Sequence, residues 1–111
     1  MNDAATSNEL DEVFAALGNS KRRGILHTLA FRPATVSQLA GEHDLSLPAI
    51  HKHIRVLERA GLILRKKVGR VNFVALNKKS LMSLQGYINQ YRTEWGSDRE
   101  TLENYIAGFN A

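Results

Sequence analysis

In the N-terminal part of the chain, hydrophobic positions recur at intervals of three and four residues, the period of an amphipathic α-helix. Three helices are predicted: one over 9–18, one capped by Ser20 and ended by Pro33, and one that begins at Thr35. The cations at 21–23 lie in the first turn of the second helix, where they oppose its dipole unless an acid or phosphate lies nearby. The side chains expected to face inward from the second and third helices are Ile25, Leu26, Leu29, Ala30, Val36, Leu39 and Ala40.

The helical pattern is clearest over 46–61. Ser46 can cap this fourth helix, Pro48 is tolerated in its first turn, and Gly61 can take the left-handed conformation that ends it. The inward stripe consists of Ile50, Ile54 and Leu57, with a partly buried and hydrogen-bonded His53, and the outward face of Ala49, His51, Lys52, Arg55 and Arg59. Small, cationic and hydrogen-bonding side chains on one face can enter a DNA major groove. The alternative is a surface helix with solvated charges.

Two β-rich runs, 62–68 and 71–76, follow the fourth helix. Gly69-Arg70 between them suits a two-residue type II′ hairpin turn. The resulting register pairs Val68 with Val71, Lys66 with Phe73 and Leu64 with Ala75. Cations concentrate toward the tip, as in a β-ribbon wing that touches a phosphate backbone or minor groove.

These elements predict a mainly α fold with a small β-hairpin, a winged helix-turn-helix. The helix-turn-helix is expected over 35–61 and the wing over 62–76, within one domain that spans 1–111 and begins with a flexible segment, 1–8.

Two more amphipathic helices are predicted after the hairpin. The first is capped by Asn77 and runs from Lys78 to Trp95, and Ser97 opens the second, whose inward residues are expected to be Leu102, Tyr105, Ile106 and Phe109. With the first helix, these segments carry more aromatic surface than a small core needs, which favours dimerisation through 9–18 and 78–109. Core packing and a ligand pocket are the alternatives. The predicted interface residues are Leu10, Phe14, Leu84, Ile88, Tyr91 and Trp95.

Charge is unevenly distributed along the 111 residues, whose net charge is +4. The segment 46–79 holds nine cations (Lys52, Arg55, Arg59, Arg65, Lys66, Lys67, Arg70, Lys78, Lys79) against one acid, Glu58, so its net charge is +8 and that of the remainder is −4. A polyanionic partner is therefore predicted for the middle of the chain only. No cysteine is present, which excludes disulfides and thiolate metal sites. No leader segment or membrane span is predicted, and the protein is expected to be cytoplasmic.

Two stretches, 16–26 and 46–63, resemble the ArsR (arsenic-repressor) family of bacterial winged-helix transcriptional regulators, and the similarity extends over about 9–78. The resemblance implies a homodimer that binds an inverted-repeat operator in double-stranded DNA, usually as a repressor. It also implies DNA contacts by Ser46, Ala49, His51, Lys52 and Arg55 from the helix and by Lys67, Arg70 and Asn72 from the wing.

The metal ligands of that family are missing from the corresponding segments. The helix at 35–42 has no thiol, and the helix at 78–95 has no histidine and a single acid, Glu94. The segment 95–106 resembles a subgroup without a metal site, so no metal and no cofactor is expected. His51 and His53 point to different sides of their helix, and His27 and His43 belong to other elements.

No phosphate loop, nucleophile elbow or zinc-protease motif is present, so the sequence does not predict an enzyme. The prediction is a sequence-specific DNA-binding transcriptional regulator, a homodimeric repressor of its target operon. A winged-helix protein-interaction module and an effector-gated sensor repressor remain the competing hypotheses.

Overall fold

Six helices and three short strands make up the computed structural model within residues 7–91 and 98–109, the part of the chain that the structure describes. In chain order they are α1 (Ser7–Leu17), α2 (Ser20–Phe31), β1 (Ala34–Thr35), α3 (Val36–Glu42), α4 (Leu47–Arg59), β2 (Ile63–Val68), β3 (Val71–Leu76), α5 (Lys78–Asn89) and α6 (Asp98–Phe109). The predicted fold class, mainly α with a small hairpin, is confirmed.

Polar side chains start the helices of the body. The predicted cap of α2 was wrong by one residue, because the side chain of Asn19, not that of Ser20, accepts the backbone N–H of Arg22 at 3.1 Å. At α3, the Thr35 hydroxyl accepts the N–H of Gln38 at 3.1 Å while the Gln38 amide accepts the N–H of Thr35 at 2.9 Å. This reciprocal capping box fixes the entry to the short α3.

The cations in the first turn of α2 bind the carboxyl end of α1. Arg22 donates from Nε to the carbonyl of Ala16 at 2.8 Å and from its terminal nitrogen to that of Ala15 at 3.0 Å. Arg23 donates to the carbonyl of Leu17 at 2.7 Å. The last carbonyls of a helix lack partners and carry partial negative charge. The dipole cost of these cations is thus offset by α1, and neither an acid nor a phosphate is required.

The sheet has three antiparallel strands in the order β1-β3-β2. The hairpin register is the predicted one, with Val68 opposite Val71 and Lys66 opposite Phe73. Gly69 has φ of +62°, as the first position of a type II′ turn requires. The two-residue β1 pairs with β3 through Ala34 and Thr35. It was not predicted, since two residues after a proline are too short to show a strand period.

One hydrophobic core lies beneath α4 and the sheet. Its buried members are Val13, Ala16, Ile25, Leu26, Leu29, Ala34, Val36, Leu39, Ala40, Ile50, Ile54, Leu57, Leu62, Ile63 and Val74. The inward prediction was wrong for Ala30, which lies one step beyond the stripe formed by Ile25, Leu26 and Leu29 and is exposed.

The C-terminal helices contribute no buried residue. Helix α5 ends at Asn89 rather than at Trp95, since Gln90 and Tyr91 donate to carbonyls three residues back instead of continuing the α-helical pattern. The prediction that the apolar face of α6 points inward was also wrong within the single chain. Its apolar residues Leu102, Tyr105, Ile106 and Phe109 are exposed, because no other described element covers them.

Candidate nucleic-acid interface

Helix α4 is held on the core by one face and presents the other outward. Ile50, Ile54 and Leu57 are buried, and the Ser46 hydroxyl accepts the N–H of Ala49 at 3.3 Å as the predicted cap. The predicted DNA contacts lie around the outward face: Ser46, Lys52 and Arg55 are exposed, and Ala49 and His51 are half-buried. The N-terminal end of α4 is therefore open to a large ligand.

The turn between α3 and α4 is tied to α2 through His43. Nε2 of His43 lies 2.9 Å from the Thr28 hydroxyl, and its backbone carbonyl accepts Lys21 Nζ at 2.9 Å. The N–H of Leu45 closes the turn on the Ala40 carbonyl at 2.9 Å. These bonds set the angle at which α4 leaves α3. No local sequence pattern reveals this role of His43, because its partners lie on α2.

His53 faces α2 rather than the solvent. Its Nδ1 lies 3.3 Å from a terminal nitrogen of Arg22, which is always a donor, so this ring nitrogen acts as the acceptor and the ring is neutral. Burial lowers the pKa of His53, and the positive charges of Arg22, Lys52 and Lys21 lower it further. The predicted partly buried and hydrogen-bonded state of His53 is confirmed.

An ion pair of Arg65 links the wing to α4. Its guanidinium lies 3.2 Å from a carboxylate oxygen of Glu58 on α4 and donates to the side-chain oxygen of Asn72 at 3.3 Å. Arg65 and Asn72 lie on the same face of the hairpin as Ile63 and Val74, which are buried. The polar face of the wing therefore continues the surface of α4. Sequence reasoning missed this role of Arg65, although the single acid in a strongly cationic segment was a signal.

Two sets of cations among the described residues differ in their partners. Arg22, Arg23, Arg32 and Arg65 bind carbonyl or carboxylate oxygens of the protein itself. In contrast, Lys52, Arg55, Lys67 and Arg70 have no hydrogen bond or ion pair to another described residue and are exposed. These four lie on α4 or the wing, as do the exposed Arg59 and Lys66, whereas Lys78, Lys79 and Arg99 are exposed on α5 and α6. The charges of this second set are free to neutralise a polyanion.

Comparison with known proteins places this arrangement among regulators. A family model described as a helix-turn-helix domain matches residues 17–65. The HTH-type transcriptional regulator YuzN of Bacillus subtilis is 38% identical over 86 residues, which cover 70% of this chain and 94% of that protein.

Two solved structures similar to this chain identify its family. The crystal structure of an ArsR family transcriptional regulator has 35% sequence identity and a TM-score of 0.73, covering 81% of this chain and 99% of that one. The chain belongs to the ArsR family. An ArsR-like transcriptional regulator from Rhodococcus sp. RHA1 has 30% identity and a TM-score of 0.76, with 94% of each chain covered. This ArsR-family protein is a winged helix-turn-helix, DNA-binding transcriptional regulator.

The predicted dimer residues of this ArsR-family chain are in different surroundings. Leu84 packs partly on the core, whereas Ile88 and Tyr91 are 54% and 70% exposed. Phe14 is 45% exposed and meets the ring of Tyr87 edge-on, with centroids 5.7 Å apart. Leu10 is half-buried, and Trp95 lies outside the described residues. An apolar strip thus runs from α1 onto α5, and its intersubunit role stays a prediction.

Within 7–91 and 98–109, no group of three or more histidine, aspartate or glutamate side chains is placed to hold a metal ion. Over the same residues, no helix has the length and apolarity needed to cross a membrane.

Proposed function

We propose that this protein is a homodimeric repressor that binds an inverted-repeat operator and acts without a metal effector. One observation carries the proposal: Lys52 and Arg55 on α4 and Lys67 on the wing are exposed and without a partner in the described protein, and the Arg65–Glu58 ion pair joins α4 to the hairpin face that bears Lys67. A helix with such a face fits a major groove, and a cationic hairpin beside it fits the adjacent backbone.

In this proposal the helix contacts are Ser46, Ala49, His51, Lys52 and Arg55, and the wing contacts are Lys67, Arg70 and Asn72. The domain extends over 1–111, and the segments 9–18 and 78–109 form the dimer. Exposed apolar side chains on α1, α5 and α6 support the dimer, because contiguous apolar surface of this kind marks a protein interface. Two recognition helices about 34–36 Å apart would meet successive major grooves. Occupancy of a promoter would then exclude polymerase.

The experiment starts with genomic fragments captured by the purified full-length protein and a footprint on the tightest fragment. Titration of that fragment over a range of salt concentrations should show affinity that falls steeply as salt rises, through counterion release.

Arg70→Ala should weaken binding to specific and random DNA alike and reduce the salt slope by about one. Lys52→Ala and Arg55→Ala should weaken operator binding without changing thermal stability. Arg32→Ala is the control, because this exposed cation lies outside α4, the wing and the dimer segments, and it should bind as the wild type does.

Binding that is independent of salt, or the absence of binding to any genomic fragment, would overturn the proposal in favour of a protein-interaction module. The metal-free part is tested with zinc, cadmium and arsenite, which should leave operator affinity unchanged. A stoichiometric metal that shifts operator affinity severalfold would contradict it and indicate a sensor.

A further inference from the structure

An exposed leucine lies at the tip of the recognition surface, where sequence reasoning predicted only polar, small and cationic contacts. Leu47 is the first residue of α4 and is 53% exposed. The flanking Ser46 and Pro48 are exposed as well. The first turn of the helix therefore projects from the body with an apolar side chain at its end.

Helix initiation does not explain Leu47, because Leu45 fills that role. A hydrophobic residue just before the cap commonly packs against one four positions into the helix. Leu45 occupies this position, is partly buried against the core and closes the turn through its N–H. Leu47, on the other side of the Ser46 cap, is exposed and is not part of the core or of the apolar layer packed against it. Folding accounts for one leucine and leaves the other unused.

The position of Leu47 is the one from which a recognition helix reads bases. Residues four apart lie on one side of a helix, so Leu47, His51 and Arg55 form a row along the outward face of α4. The N-terminal residues of such a helix reach furthest into the major groove. A leucine side chain has no hydrogen-bonding group, and the apolar feature that a major groove offers is the C5 methyl group of thymine.

We propose that Leu47 determines specificity by packing on the C5 methyl group of a thymine in each operator half-site. Ser46 and Ala49, both small, allow the backbone to approach closely enough for this contact. The inference rests on the proposed function, since it requires α4 to enter the major groove.

The test first selects binding sites from a random DNA library with the wild-type protein. Each thymine of the selected half-site is then replaced by deoxyuridine, which removes only the methyl group, and affinity is measured by fluorescence anisotropy. Loss of one buried methyl group corresponds to about a fourfold loss of affinity. One thymine should show this loss, and replacement in both half-sites should give about 15-fold.

Leu47→Ala should bind the thymine and deoxyuridine sites equally, and its own library selection should lose the thymine preference at that position. The control is Leu64→Ala on β2, which removes a leucine that is 58% exposed on the hairpin face opposite Arg65. This variant should keep the full deoxyuridine effect. Equal melting temperatures of the three proteins will show that the fold is unaffected.

If the wild type binds its selected site but no deoxyuridine replacement changes affinity, or if Leu47→Ala keeps the wild-type sensitivity, the assignment of Leu47 is wrong while the proposed function stands. If no sequence is enriched at all, the proposed function itself fails. The two failures are thus separate results of the same experiment.

Discussion

The winged body and the C-terminal helices have similar shares of apolar residues but opposite burial. From α1 to β3, the apolar positions meet around Ile25, Leu57 and Val74, which are almost completely buried. In α5 and α6 no residue is buried, although Ile88, Ile106 and Phe109 are as hydrophobic as the core residues of the body. The same amphipathic period thus predicts a helix in both regions and says nothing about where its apolar face is covered.

This difference separates the two parts of the function. The core of the body and the ion pair of Arg65 keep α4 next to the wing, so a single chain presents both elements of the proposed DNA-binding surface. The C-terminal helices carry apolar surface that their own chain does not cover, which fits a role between subunits. Helix α1 connects the body with the C-terminal helices, because Val13 is buried in the core and Phe14 contacts Tyr87 of α5.

Leu57→Ala and Phe109→Ala should separate the two regions most strongly. The first leaves a cavity in the core and should lower the free energy of unfolding by about 2–5 kcal/mol at every protein concentration. The second should lower stability only where subunits associate, so its effect should vanish on dilution to the monomer. Urea unfolding at several protein concentrations measures both. A concentration-independent loss for Phe109→Ala would mean that α6 packs on its own body.

Ile88→Glu tests the apolar strip of α5 directly. A charge placed among desolvated apolar groups should raise the dimer dissociation constant about a hundredfold, or about 2.7 kcal/mol. Gln85→Glu adds the same charge on an exposed position of the same helix and should leave dimerisation nearly unchanged. Sedimentation equilibrium gives both constants. A wild-type protein that is monomeric at micromolar concentration and binds an isolated half-site tightly would refute the dimer.

Arg22→Met tests the contact between α2 and the carboxyl end of α1. It removes the donors to the carbonyls of Ala15 and Ala16 and should cost about 1–2 kcal/mol of unfolding free energy. Arg32→Met is the control, because the Arg32–Glu42 ion pair is exposed and its loss should cost less than about 1 kcal/mol. Thermal or urea unfolding distinguishes them. Equal losses would show that the cap of α1 contributes no more than a surface ion pair.

The fold was predictable where the local sequence pattern of an element agrees with the way that element packs on the core. The hairpin register followed from Gly69 and the alternation around it, and the inward stripe of α4 followed from Ile50, Ile54 and Leu57. Partners distant in sequence were not predictable. Thr28 with His43 and Glu58 with Arg65 come together only when α2, α4 and the wing pack. The orientation of α6 was predicted incorrectly, since a period alone does not distinguish a face that meets its own core from one that does not.

The smallest predicted effect is the change in folding stability with pH that arises from His53. Burial, then the charges of Arg22, Lys52 and Lys21, lower the pKa of the folded-state ring below its usual 6.5. Above pH 6.5 the ring is neutral in both the folded and the unfolded chain, so the fold has its full stability. As the pH falls from 6.5 through the lowered pKa, the unfolded chain takes up the proton first and stability is lost. This loss is complete below the folded-state pKa.

His53→Gln removes the titration and keeps an oxygen that can accept from Arg22. The stability advantage of the wild type over this variant should therefore be smaller at pH 5 than at pH 7.5, by less than about 1 kcal/mol because the ring is only partly buried. Urea unfolding at both pH values measures the difference. In an Arg22→Met background the same comparison should give a smaller change, because one of the charges that oppose protonation is gone while burial remains. An advantage that grows toward acid pH would show that His53 is stabilised as the cation, and the contact with Arg22 would then have to break in the folded protein.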